Sequence, residues 1–308
     1  MASSSKTGTP VHLVVLCHGL WGEPKHLHTL ETLLCRSLGF RASITKGTGG
    51  KSRKDQIGPN DVESMNGSTS TLTDSDSDRE DDSKLDGYLR EYVNKRKEEE
   101  QDIDVLILNS MSSAGSKTYD GIDWIAERAV QEIRAEEREM KKQSKYIARF
   151  SIIGYSLGGL VARYVIALLD SQSFFTLNSV GNGGSVEARH FATFATPHVG
   201  VPPANGMFGK LANFIGGRLL SRTGEQLYIR DSGWESDNEL HQHKQSSNLK
   251  VGLIESMARP GSIFILALNR FQKITIYANA VNDMTVPFRT GCIEEWDPFI
   301  ERKGDLNV

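Results

Sequence analysis

Ile152-Ile153-Gly154-Tyr155-Ser156-Leu157-Gly158-Gly159 decides how this chain is read. An apolar, strand-like run from Phe150 to Ile153 meets a Gly-x-Ser-x-Gly-Gly pattern, and a helical pattern starts directly behind it. A strand, a serine and a helix in that order make a nucleophile elbow, with the serine on a sharp, strained turn and its hydroxyl raised above a sheet. Gly154 and Gly158 have a physical role there. The flanking backbones pass so closely that a Cβ at either position clashes, and the turn demands dihedrals that glycine adopts cheaply.

Working outward, strand-like and helix-like stretches alternate. Val11 to Cys17 is almost continuously apolar and β-branched, as in a strand buried on both faces. Pro24 opens a helix to about Leu38 with Leu27, Leu30, Leu34 and Leu38 on one side, and Gly39 ends it. Phe40 to Thr45 and Ile103 to Leu108 read as further strands, with Asn109 to Tyr119 a polar loop. Asp120 is placed as the N-cap of a helix whose Ile122, Ile125, Ala126, Ala129, Val130 and Ile133 form one apolar stripe beside Trp124. Behind the elbow, Leu160, Val161, Tyr164, Val165, Leu168 and Leu169 form the buried side of the next helix. His190 to Ala195 and Ile274 to Ala278 are the last strands. Two short helices are expected between them, near Leu249 to Met257 and Ser262 to Phe271, after a polar, irregular stretch. Such alternation calls for a mostly parallel sheet covered by helices on both faces, with reactive residues on loops leaving the strands' C-terminal ends.

Length and composition bound the rest. A chain of 308 residues suits one large α/β domain: residues 1–10 read as a flexible leader and 11–308 as the domain. The leader has no apolar core of a signal peptide. Residues 46–83 are rich in Gly, Ser and acids and end in Asp74-Ser75-Asp76-Ser77-Asp78-Arg79-Glu80-Asp81-Asp82. They bury too little to offset an ordering entropy of about 1–2 kcal/mol per residue, so they read as a disordered insertion. Leu85, Tyr88, Leu89, Tyr92 and Val93 then mark a short amphipathic helix. A net charge of −3 gives no basic surface for nucleic acid. Cys17, Cys35 and Cys292 share no metal-like spacing, which points to a reducing, cytoplasmic compartment with neither disulfides nor metal. No apolar run approaches the roughly 18 residues of a membrane span. Contact with a membrane surface stays open.

Three of the expected loops carry reactive groups: His18-Gly19, Ser156 and Asp283. A serine hydroxyl needs a base to take its proton and two N–H donors for the oxyanion it creates. The backbone N–H of Leu157, which follows the serine, is one donor; that of Leu20, behind His18-Gly19, is placed to be the other. His18 is expected to orient the oxyanion loop, and His198 to brace loops rather than act as base. Trp21 either lines an acyl pocket or fills core. Asp283 reads either as a catalytic acid or as a turn-forming residue.

Four motifs together resemble the DUF676 family of serine esterases: His18-Gly19-Leu20-Trp21-Gly22, Gly154-Tyr155-Ser156-Leu157-Gly158-Gly159, Ala195-Thr196-Pro197-His198-Val199-Gly200 and Ala278-Asn279-Ala280-Val281-Asn282-Asp283. Thr118-Tyr119-Asp120-Gly121-Ile122 also looks like that family. Within it, the chain is most similar to fungal lipid-droplet phospholipases and monoacylglycerol lipases. The resemblance implies an α/β-hydrolase fold, Ser156 as nucleophile, Asp283 as triad acid, a lipid acyl-ester substrate, and no metal or other cofactor. It also makes peripheral contact with a lipid droplet or membrane an expectation.

In this fold the triad runs Ser, then Asp or Glu, then His along the chain. The eight histidines stand at 12, 18, 26, 28, 190, 198, 241 and 243, and none follows Asp283. Pro287 to Val308 also lacks a strand-like run to carry one. The expectation is a C-terminally incomplete hydrolase domain, such as a truncated isoform, with weak or no activity. The alternatives are a base supplied out of order by His241 or His243, or a non-catalytic, lipase-like lipid-binding protein. Phe208, Leu211, Phe214 and Ile215 share one face of a short stretch between glycines, as either a lid or an ordinary packed helix.

Overall fold

The computed structural model describes residues 8–38, 42–46, 103–111, 114–175, 185–201, 221–229, 231, 251–283 and 285–299. Most of the acidic insertion, the helix expected near Leu85, the lid candidate at Phe208 to Ile215, and His241 and His243 lie outside the described residues. In chain order the elements are β1 (Thr9–Cys17), a 3₁₀ turn (Pro24–Leu27) running into α1 (His28–Leu38), β2 (Ala42–Lys46), β3 (Asp104–Asn109), a second 3₁₀ turn (Gly115–Tyr119), α2 (Ile122–Lys142), β4 (Lys145–Tyr155), α3 (Leu157–Ser171), β5 (Glu187–Phe194), α4 (Arg222–Leu227), α5 (Leu253–Ala258), α6 (Ile263–Leu268), β6 (Lys273–Tyr277) and α7 (Phe288–Cys292). The six strands among the described residues form one sheet in the order β2-β3-β1-β4-β5-β6, every pair parallel. This is the α/β-hydrolase class of fold, with the elbow between β4 and α3.

The alternation of side chains along β1 shows how the sheet is covered. Val11, Leu13, Val15 and Cys17 join the larger core, where α2, α3, α5 and α6 pack. Val14 and Leu16 face the other way and meet Leu27 and Cys35 of the first helical segment. Successive residues of a strand point to opposite faces, so a strand buried on both must be apolar throughout. The larger core is filled by Phe150, which is fully buried and lies edge-on to Phe174 and Phe175 at centroid distances of 5.5 and 5.7 Å.

The helical stripes read from the sequence are the buried faces of α2 and α3, although Tyr164 and Leu168 are only half-buried and Trp124 is exposed. Three readings need correction. Asp120 is not the N-cap of α2. Gly121 occupies that position with φ 110°, and Asp120 closes the preceding 3₁₀ turn and pairs with Arg128 at 2.7 Å. The polar loop before it ends in that 3₁₀ turn, and the stretch read as irregular contains α4. In both places the ordering partners are far away in sequence, so no local period announced them. The short helices near Leu249 and Ser262 are present but begin at Leu253 and Ile263.

Candidate active site

The strand register brings five loops to one edge of the sheet. Cys17 is level with Gly154, Gly154 with Thr193, and both Tyr155 and Tyr277 with Phe194, while Leu16 is level with Asn109. The loops after β1, β3, β4, β5 and β6 therefore leave side by side. The chain also reverses its winding between β1 and β4, since β3 lies on one side of β1 and β5 beyond β4. A crevice opens at such a switch point. Here it is a cavity of about 240 Å³ whose lining includes Gly19, Leu20 and Trp21 after β1, Tyr119 after β3, Ser156 and Leu157 after β4, Pro197 and Val201 after β5, and Thr285 and Val286 after β6. Thr223, Leu227 and Tyr228 add a further wall.

Ser156 sits at this junction with φ 53° and ψ −127°. That region is sterically costly for any residue with a Cβ, and it persists only where the surroundings hold it. They do so from both sides: the Ser156 N–H donates to the Phe194 carbonyl at 2.8 Å, and the Thr196 hydroxyl donates to the Ser156 carbonyl at 2.9 Å. The glycines let the pieces close. A Cβ on Gly158 would lie 2.1 Å from the Cys17 carbonyl oxygen, and one on Gly154 2.4 Å from the Gly159 Cα. A Cβ on Gly19 would lie 2.8 Å from the Ser156 Cβ, so the backbone of the β1 loop runs directly against the serine.

The two residues expected to supply oxyanion donors, Leu20 and Leu157, stand on the loops after β1 and β4. Leu157 is the first residue of α3, so its N–H has no acceptor inside the helix and lies at the positive end of the helix dipole. Leu20 is the first central residue of a turn closed by the Gly22 N–H to the Gly19 carbonyl at 3.0 Å, a bond that leaves the Leu20 N–H outside it. Both residues line the cavity with Ser156.

Asp283 is held by four hydrogen bonds. Its Oδ1 accepts from the N–H groups of Thr285 at 2.8 Å and Val286 at 2.9 Å and from the Thr285 hydroxyl at 2.9 Å; its Oδ2 accepts from the Asn279 amide at 2.7 Å. Burial pushes this carboxyl upward, but the donors outweigh it and hold it below the usual aspartate value. The turn-forming reading holds, since the carboxylate organises a turn, and that turn delivers Thr285 and Val286 to the cavity. With one bond on Oδ2 against three on Oδ1, Oδ2 retains acceptor capacity for an imidazole N–H.

The described histidines are elsewhere. His18 is 2% exposed, and its Nδ1 lies 3.1 Å from the Gly19 carbonyl and against Gly22. Burial pushes its pKa down despite that carbonyl, and the ring packs against the turn from Gly19 to Gly22. His198 is also 2% exposed; its Nε2 meets the Thr193 hydroxyl at 2.9 Å, and burial, then the nearby Arg163 cation, pushes its pKa down to about 3. Arg163 in turn donates to the His198 carbonyl at 3.1 Å and to that of Met257 at 2.8 Å. None of the described histidines lines the cavity, and among the described residues no cluster of His, Cys, Asp and Glu is placed to hold a metal ion.

Sequence reasoning did not single out Thr196, Thr285, Thr223 or Tyr228. Thr196 stood inside a quoted motif, and Thr285 follows Asp283 at the spacing at which an aspartate binds backbone N–H groups ahead of it. Thr223 and Tyr228 carried no local signal.

The model of the family described as "Putative serine esterase (DUF676)" matches residues 66–294, well over half of the chain. "Putative lipase C4A8.10" of Schizosaccharomyces pombe is 23% identical over 214 residues, covering 67% of this chain and 24% of that protein. "Putative lipase ROG1" of Saccharomyces cerevisiae is 30% identical over 149 residues, covering 48% of this chain and 18% of that protein. The chain thus spans less than a quarter of the length of these relatives. Among solved structures, "the putative cell surface hydrolase from Lactobacillus plantarum WCFS1" aligns over 97% of both chains with a TM-score of 0.36 and 11% identity.

Proposed function

The chain belongs to the DUF676 family of serine esterases, and on that premise we propose that it is built to cleave lipid acyl esters through a Ser156 acyl-enzyme, in the manner of a phospholipase or monoacylglycerol lipase. The observation that carries this reading is Ser156 itself, in a strained backbone conformation between β4 and α3 at the wall of a cavity. Its hydroxyl attacks the ester carbonyl. The N–H groups of Leu20 and Leu157 receive the oxyanion, supported by His18 and Gly19 behind one and Gly154 and Gly158 behind the other. Asp283, kept ionised, is the carboxylate that orients an imidazolium base. Leu20, Trp21, Leu157, Val201, Leu227 and Val286 make the cavity largely apolar, which suits an acyl chain better than a charged or sugar substrate. Among the described residues no helix is long and apolar enough to cross a membrane, so access to lipid is proposed to be peripheral, at a droplet or membrane surface. The compartment proposed is the cytoplasm.

A second reading is favoured by the absence of any described histidine from the cavity: a lipid-binding protein with a lipase scaffold and little turnover. A serine without its base retains only about 10³–10⁴-fold acceleration over water. Incubating the chain with a fluorophosphonate probe and p-nitrophenyl esters separates the two. Slow labelling and turnover that vanish in Ser156→Ala are expected. Brisk Ser156-dependent turnover shows that a base is present, and its loss in a His241→Ala/His243→Ala double variant places that base at one of the two. Fatty-acid binding without any labelling of Ser156 supports the binding protein and rejects the esterase.

A further inference from the structure

The motif Thr118-Tyr119-Asp120-Gly121-Ile122, between β3 and α2, reaches the cavity only through Tyr119. Thr118 is fully buried. Its hydroxyl proton is committed to the Gly115 carbonyl at 2.8 Å, which leaves the oxygen's lone pairs to accept, and the oxygen accepts the backbone N–H of Trp21 at 3.3 Å. Two more bonds join the same pair of loops. The Trp21 indole N–H donates to the Tyr119 hydroxyl, and the Gly115 N–H donates to the Gly22 carbonyl at 3.1 Å.

Trp21 needs such holding. It has φ 55°, in the left-handed region that a bulky residue avoids. Its peptide N–H belongs to the same planar unit as the Leu20 carbonyl, so fixing that N–H fixes the orientation of the turn that carries Leu20 beside Ser156 in the cavity wall. The Thr118 carbonyl then passes the anchor onward, accepting from the Thr223 hydroxyl at 2.7 Å, while the Thr223 oxygen accepts from the Gly121 N–H at 2.9 Å. Thr223 belongs to α4, whose Thr223, Gly224 and Leu227 line the cavity.

We propose that Thr118 is a positioning residue: it holds the Leu20–Trp21 peptide in the orientation that aims the Leu20 amide at the oxyanion. Tyr119 secures the Trp21 side chain to the same frame. The inference rests on the esterase reading for its catalytic consequence, but not for the anchor itself. A purely structural threonine would lower stability and leave kcat in the surviving folded protein unchanged.

The test uses Thr118→Val, which keeps the shape and removes both hydroxyl bonds, and Thr118→Ser, which restores them. Loss of a direct oxyanion donor lowers kcat about 10²–10³-fold, and a misaimed donor is expected to lower it about 10- to 100-fold. KM should stay within about twofold, and Thr118→Ser should recover most of kcat. The rate of Ser156 fluorophosphonylation should follow kcat. Hydrogen exchange of the Trp21 amide supplies a readout independent of turnover: exchange should quicken about tenfold or more in Thr118→Val and return in Thr118→Ser. Wild-type protein that labels Ser156 while Thr118→Val labels equally fast overturns the inference and leaves the esterase reading intact. Wild-type protein that never labels counts against the esterase reading; the anchor then stands or falls on Trp21 exchange, and unchanged exchange overturns it.

Discussion

At the scale of single residues, burial decides which groups carry charge. Asp283 and His198 sit on neighbouring loops and are both partly or wholly removed from water, yet one stays ionised and the other neutral. The difference is in their partners. Asp283 faces four N–H and O–H donors, which favour the anion; His198 faces a threonine hydroxyl and an arginine cation, which favour the neutral ring. The sign for stability follows. With an ordinary pKa of 6.5 and a folded value of about 3, His198 in the unfolded chain binds a proton that the folded chain refuses. The unfolded state therefore gains as pH falls from about 6.5 towards 3. Replacing the ring by His198→Gln, which can still bond Thr193, should flatten the decline of Tm across that window. Parallel declines in the two proteins would show that His198 is protonated while folded.

At the scale of elements, α4 is the instructive case. It has six residues, including a threonine and a glycine, and the isolated sequence has no reason to be helical. It forms because its side chains satisfy the start of α2. Gln226 accepts from the Ile122 N–H at 2.7 Å and donates to Asp123 at 3.0 Å, and Arg222 pairs with the same carboxylate. The Ile122 N–H is one of the orphan donors that Asp120 was expected to cap from within the local sequence. Gln226→Leu should cost about 1–3 kcal/mol, because it leaves a buried N–H and a buried carboxylate oxygen short of a partner. Removing the exposed Lys142–Glu139 pair with Lys142→Ala should cost about 0–1 kcal/mol. Urea midpoints of the two variants measure the contrast, and equal midpoints would mean that α4 contributes nothing to the fold.

At the scale of the whole molecule, one sheet separates two cores and one edge of it gathers the chemistry. The larger core holds the elbow strand and helix, so its integrity and that of the site are linked. Phe150 lies on β4 six residues before Ser156, in edge contact with Phe174 and Phe175 and near Phe271. Phe150→Ala should cost about 3–5 kcal/mol, a large share of the roughly 5–15 kcal/mol typical of a domain. Thermal unfolding followed by far-ultraviolet circular dichroism checks this. A loss below about 1 kcal/mol would mean that the aromatic cluster collapses around the gap.

How much of this was legible in the chain divides along one line. The strands and the long helices were readable because burial imposes a period: continuous apolar residues in β1, a stripe of Ile122 to Ile133 in α2. The elbow was readable because Gly154, Ser156 and Gly158 are adjacent and the strain is local. The family resemblance carried by four motifs matches the family that the chain belongs to. Asp120 was misplaced because an aspartate ahead of a helical stripe is a good local cap, and only the fold shows Gly121 at φ 110° with Gln226 and Thr223 on the free N–H groups. Thr118, Thr196 and Thr223 act through partners 97, 40 and 105 residues away. By itself, then, the sequence determined the periodic elements and the strained serine turn, whose causes lie within a few residues. The tertiary structure alone decided which loops meet at the sheet edge and which hydroxyls hold them, because a hydrogen bond depends on distance in space and leaves no period in the chain.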